Sequence, residues 1–178
     1  FRRVLFRSNG QVLDVIKETV CVLGSEIRLN RQSANRGFLI DEIHSNWGSI
    51  KQEPTWEMIQ TYENPAPVWP QNLLPGTKER FESYYYANQG TFRHRISIYL
   101  SVQSFELLEL DLGTFESVRI EKYMTLGHPD AFRSNLTRSE TLWLVPKLGR
   151  FVVKETNGNY GPRPRGREDH LRWELINF

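Results

Sequence analysis

The stretch TFRHRISIYLSVQ constrains the fold more than any other part of the chain. Phe92, His94, Ile96, Ile98, Leu100 and Val102 alternate with Arg93, Arg95, Ser97, Tyr99, Ser101 and Gln103. A period of two sends the first set to one face of an extended strand and the second to the other, so one face is buried and one is wet. Such a strand must cover its apolar face with further elements. Weaker alternations at 38–43, 55–62, 79–86, 115–124, 140–145, 150–155 and 170–178 supply them. Turn residues separate these runs, as in Asn88-Gln89-Gly90, Leu112-Gly113, Pro146 to Gly149 and Asn157-Gly158-Asn159. Only QVLDVIKETV at 11–20 leaves the choice between helix and strand open. The pattern predicts a mainly β fold, an antiparallel curved sheet or incomplete β-barrel with few or no helices.

Composition agrees. Aromatic residues make up 12% of the chain, with seven Tyr and five Trp, a bias toward strands. The single cysteine, Cys21, excludes an internal disulfide and a zinc site built on several thiolates, and reads as a small buried hydrophobe. No apolar run approaches the ~18 residues of a spanning helix.

Residues 1–8, FRRVLFRS, resemble a translated sequencing adapter and are set aside as non-native. Removing Arg2, Arg3 and Arg7 turns the formal charge from +2 to −1, which removes the electrostatic case for a nucleic-acid partner. The expectation is a natural sequence starting near Asn9, with a leader peptide lost upstream. Residues 9–178 then form a single β-rich domain. A sub-boundary could fall at 64–76, NPAPVWPQNLLPG, but Trp69, Leu73 and Leu74 suit an ordered crossover better than a linker.

The second half carries a resemblance. WPQNLLPG at 69–76, ELLELDLGTFESVRIE at 106–121, ETLWLVPKLGRFVVKE at 140–155 and RWELINF at 172–178 follow in order. Over residues 65–178 this resembles the bacterial extracytoplasmic TapB-like domains, whose function is unassigned. Asp111-Leu112 stands before Gly113-Thr114-Phe115 where that family has Pro-Ala. The resemblance implies an exported protein, in the periplasm or at the cell surface. Independently of it, Gly113 and Gly149 occupy turn positions that call for positive φ.

Chemistry is sparse. His44, His94, His128 and His170 stand singly, without metal-ligand spacing, and no nucleophile elbow or phosphate loop is present, so no metal or cofactor is expected. Asp41, Glu42 and His44 cluster in FLIDEIH, although strand period sends Asp41 and Glu42 to opposite faces. Arg163, Arg165 and Arg167 in GPRPRGREDH read as a polar hairpin loop before the last strand, with a phosphate or carboxylate grip as the alternative. Two functions remain. One is a non-enzymatic module that binds an apolar small molecule, a lipid or a protein partner in a curved-sheet cleft, with Tyr84, Tyr86, Tyr99, Trp143 and Trp173 as candidate lining. The other is a small hydrolase assembled from His44, His94, Asp41 or Glu109. A histidine bonded to a carboxylate in an open pocket favours the second; an apolar cleft without ionisable groups favours the first.

Overall fold

The computed structural model describes residues 2–7, 12–55, 58–127, 135–160 and 167–177. Thirteen strands are present: β1 Arg2–Arg7, β2 Val12–Leu23, β3 Glu26–Ser33, β4 Gly37–Phe38, β5 Glu42–Asn46, β6 Ser49–Thr55, β7 Met58–Pro67, β8 Lys78–Ala87, β9 His94–Leu110, β10 Gly113–Leu126, β11 Leu136–Val145, β12 Arg150–Tyr160 and β13 Arg167–Asn177. A single 3-10 turn, Pro146–Leu148, is the one helical element among the described residues. The ambiguous segment at 11–20 is strand, most of β2. The run expected as one strand at 55–62 is instead divided between β6 and β7, and the one at 38–43 between β4 and β5.

All ladders are antiparallel, and the order is β2-β1-β13-β12-β11-β10-β9-β8-β7-β6-β5-β3-β4, with β2 also pairing β3. This is the expected class, a curved antiparallel sheet, and the β2–β3 ladder brings the two ends of the order together. Its wall is uneven. β9 and β10 share fourteen paired residues, from Leu110↔Gly113 to Ile96↔Leu126. β7 and β8 share only three, Gln60↔Ala87 to Tyr62↔Tyr85. Pro65 and Pro67 explain this thin seam, because neither can donate to a ladder. The β6–β7 ladder also breaks register there, between Ile50↔Ala66 and Gln52↔Thr61.

The alternation of the central strand holds from Ile96 to Val102: Ile96, Ile98, Leu100 and Val102 are buried. Phe92 departs from it, lying before β9 and largely exposed. Inward residues of β9 to β12, with Trp173 and Leu175 of β13, join Ile50, Tyr62 and Ala66 in one core cluster. Each large aliphatic side chain so buried stabilises the fold by roughly 1.5–3 kcal/mol. The 64–76 segment packs on this core through Val68, Trp69 and Leu73, while Leu74 is exposed. Val68 N–H donates to Gly48 O at 2.8 Å, and a Cβ on Gly48 would meet Trp69 Nε1 at 3.1 Å, so glycine permits the close approach. Gly113 and Gly149 take positive φ, 121° and 63°, as their turns require.

A non-native segment at 1–8 is expected to be loose or to sit at the edge of the sheet. Instead Arg2–Arg7 pair on both sides, with Leu5 opposite Trp173 of β13 and opposite Asp14 of β2. Backbone pairing of this kind accepts any extended segment free of proline.

Candidate functional site

The interior is not purely apolar. On β10 and β11 the directly opposed pairs Val118↔Leu144, Ile120↔Leu142, Lys122↔Glu140, Met124↔Arg138 and Leu126↔Leu136 share one face. All ten residues are buried, so Lys122, Arg138 and Glu140 stand among hydrophobes, and burying charge is costly unless it is paired. Arg138 solves most of this. Its Nη2 donates to Glu53 Oε1 at 3.0 Å and Oε2 at 3.1 Å, and its Nε lies 3.2 Å from Glu140 Oε1. Glu140 Oε2 then lies 3.8 Å from Lys122 Nζ. Tyr62 O–H donates to Glu53 at 2.5 Å. The result is a buried chain running Tyr62, Glu53, Arg138, Glu140, Lys122.

Burial works against the charge on Glu53, but Arg138, Lys122 and Lys154 overcome it and hold its carboxyl at about 2. Glu140 is held below its ordinary value in the same way, burial opposing and Arg138 prevailing. Burial lowers the Lys122 ammonium despite Glu140 and Glu53. Tyr62 is pushed well above its ordinary value by burial and then by Glu53.

A second cluster adjoins it. His44 is 2% exposed and its Nε2 lies 2.7 Å from Glu42 Oε1. Burial disfavours the Glu42 carboxylate, yet the His44 hydrogen bond and the Arg31 charge hold its pKa far below the usual range. An ionised carboxylate only accepts, so His44 Nε2 carries the proton and donates. Arg31 Nη1 lies 3.4 Å from Glu42 Oε2, and the buried pair Arg150 and Glu18 meets at 3.4 Å. The Arg150 guanidinium stands 4.9 Å over the Trp47 ring. The two clusters share a cavity lined by Glu42, His44, Glu53, Lys122, Glu140 and Lys154, with apolar walls from Leu142 and Phe151 among others. It has room for little beyond a single water.

The sequence candidates scatter around this centre. His44 is in it, but its carboxylate is Glu42; Asp41 turns away and lies 3.8 Å from Arg28. His94 packs near the Tyr85 ring at 5.3 Å, and Glu109 is exposed on β9. Neither approaches the cavity lining. Of the aromatic candidates, Tyr84 and Tyr99 lie on the outer face, beneath Arg93 at 4.0 Å and Arg80 at 5.2 Å. Tyr86 is half-buried on the same strand as Tyr84. Trp143 donates Nε1–H to Glu106 at 3.0 Å, whereas Trp173 is buried edge-on against Phe151. These five do not form one surface. His128, Arg163 and Arg165 lie outside the described residues, as does the side chain of Arg167. The described residues contain no group of three or more side chains suited to a metal. No described helix is long and apolar enough to cross a membrane.

Lys122, Arg138 and Glu140 carry a signal in the sequence: each has the strand parity of its apolar neighbours Ile120, Met124, Leu136 and Leu142. Glu53 carried none, because its partner is 85 residues away in sequence.

No family model and no curated protein sequence matches the chain. The resemblance of residues 65–178 to TapB-like domains therefore rests on its motifs alone. In fold, the chain is similar to two solved bacterial structures. One is described as the hypothetical lipoprotein YmcC of Escherichia coli, with a TM-score of 0.56 and 11% identity over 99% of this chain and 86% of that one. The other, from Parabacteroides distasonis and provisionally described as a lipoprotein, has a TM-score of 0.54 and 13% identity over 99% of this chain and 94% of that one. The curved antiparallel sheet is thus shared with proteins described as bacterial lipoproteins.

Proposed function

We propose that the chain is a non-catalytic extracytoplasmic β domain that binds a protein partner through exposed residues of β9. One observation carries this reading: Phe105 and Leu107, neighbours on one face of β9, are 62% and 73% exposed, while the described cavity is small and lined by charge. Large apolar side chains held side by side in water mark an interaction site. The extracytoplasmic location is supported by the two lipoprotein folds and by the motif resemblance.

An enclosed apolar ligand fits this reading less well, since the described cavity admits little more than a water and carries five ionisable groups besides His44. The hydrolase alternative has its histidine–carboxylate pair in His44 and Glu42, but a substrate has no room beside a histidine this deeply buried. The test is a photoreactive amino acid placed at Leu107 in cells exporting the protein, with Lys17 on the opposite wall as control. A discrete protein adduct at 107, reduced by Phe105→Ser, is the expected result. Equal labelling at both positions, or none at 107, sinks the reading.

A further inference from the structure

Beyond the β8 ladder, β9 and β10 continue as a two-stranded ribbon. β8 pairs β9 only as far as Lys78↔Ser101, and Val102 completes that edge by bonding Gly76 N–H and Thr77 O, each at 2.9 Å. Gln103 is the extra residue in the register shift between Arg119↔Ser104 and Ile120↔Val102. From Ser104 to Leu110, β9 pairs with β10 on one side and with no backbone on the other among the described residues. In an antiparallel pair every second residue turns its N–H and C=O away from its partner, so this edge is an open row of donors and acceptors. Proteins usually blunt such an edge with proline, lysine or a bulge. The sequence SFELLEL contains no proline or lysine, and the register is regular throughout it.

The faces of the ribbon differ. Leu108, Leu110, Leu112 and Phe115 pack against the core, whereas Phe105, opposite Val118, and Leu107, opposite Glu116, are exposed on the other face, and Glu109 follows them at the same parity. Residues 104–117 hold Glu106, Glu109, Asp111 and Glu116, and no basic residue. Glu106 is engaged by Ser104 and Trp143, and Glu116 by Lys147 at 3.1 Å. Glu109 and Asp111 have no ion pair among the described residues.

We infer that the free edge of β9 over Ser104–Leu110 accepts an extended segment of a partner protein as an added strand, with apolar side chains against Phe105 and Leu107 and lysine or arginine against Glu109 and Asp111. This deepens, and rests on, the partner-binding reading above. Main-chain bonds supply the attachment and the side-chain pattern supplies the choice of segment. A second copy of the same edge is disfavoured, because this acidic strand offers no cation to meet Glu109 and Asp111. A membrane surface is disfavoured too, since anionic headgroups repel the same charges.

The probe is the heptapeptide acetyl-KTKTVTV-amide, which in antiparallel register sets its lysines against Asp111 and Glu109 and its valines against Leu107 and Phe105. Binding to the full chain is read by calorimetry and by amide hydrogen exchange. The expected result is binding that weakens with salt and slows exchange at alternate residues of 104–110. N-methylation of the edge-facing peptide amides should weaken it by roughly tenfold or more, the loss of one to two net hydrogen bonds. The double variant Glu109→Lys/Asp111→Lys, at exposed positions that leave the core intact, should do likewise. Binding indifferent to N-methylation, protection elsewhere, no binding, or a dimer through this edge each overturns the added strand. If the peptide fails while adducts still form at Leu107, the strand mode falls and the partner-binding reading stands; if both fail, both fall.

Discussion

Along β10 and β11 the buried residues run Val118, Ile120, Met124 and Leu126 opposite Leu144, Leu142, Arg138 and Leu136. Along β3, β5 and β6 they run Leu29, Ser33, His44, Ile50 and Glu53, on shorter and more irregular ladders. The first wall encloses itself by burying hydrocarbon. The second has too little hydrocarbon to do so and is tied across the interior, through Glu53, to a cation that the first wall supplies, Arg138. The contrast teaches that a thin wall can be anchored by charge, provided each buried carboxylate meets a matching cation.

The sharpest way to break this comparison is Arg138→Met. It keeps bulk while leaving Glu53 and Glu140 buried without their shared cation, and should cost about 3–5 kcal/mol in denaturant unfolding. Adding Glu53→Gln should recover part of the loss, which a double-mutant cycle would register. Additive losses would mean the two residues act separately. On the apolar wall, Ile120→Ala should cost about 2–5 kcal/mol through its cavity, with no dependence on pH.

Acid should separate the two walls further. The Glu53 carboxyl is held at about 2 in the folded chain against an ordinary 4.5. A depressed folded pKa means its contribution is complete above the unfolded value and is lost as pH falls from about 4.5 through 2, roughly 3 kcal/mol in all. Glu140, also depressed, steepens the same limb. Melting temperatures recorded from pH 6 to pH 2 should therefore fall in the wild type and fall less in Glu53→Gln. Parallel curves would refute the assignment.

The smallest effect expected is at the β8–β9 turn, where Gln89 sits at φ 60°. Glycine takes that conformation without a Cβ clash, so Gln89→Gly should raise stability by up to about 1 kcal/mol, visible as a small rise in melting temperature. A fall would show that Gln89 is held by contacts its backbone angle does not reveal.

The two walls were not equally legible. Strict alternation in β9, and the shorter alternations within β8, β10, β11, β12 and β13, announced the apolar wall because most inward positions are hydrophobes, Lys122, Arg138 and Glu140 being the exceptions. β3 reads EIRLNRQS, whose inward residues include a buried serine, so its period fades just where it turns polar. β5 and β6 are broken by register shifts, which erase a period of two altogether. His44 and Glu42 were visible as residues two apart on one strand, yet the neighbouring Asp41 drew the attention. The ribbon edge was invisible, because nothing in SFELLEL states where β8 stops pairing.

From β5 to β13 every strand lies beside the next one in the sequence. Such a sheet can grow hairpin by hairpin, each addition closing only a short loop at small entropic cost. The ladder between β1 and β13 is of another kind, since it brings Arg2 to Asn177 across almost the whole chain. Its closure must wait until the intervening strands are laid down. During assembly the apolar wall should therefore form first and the join between first and last strands last, and in the folded protein the β13 amides facing β1 are expected to open sooner than those facing β12.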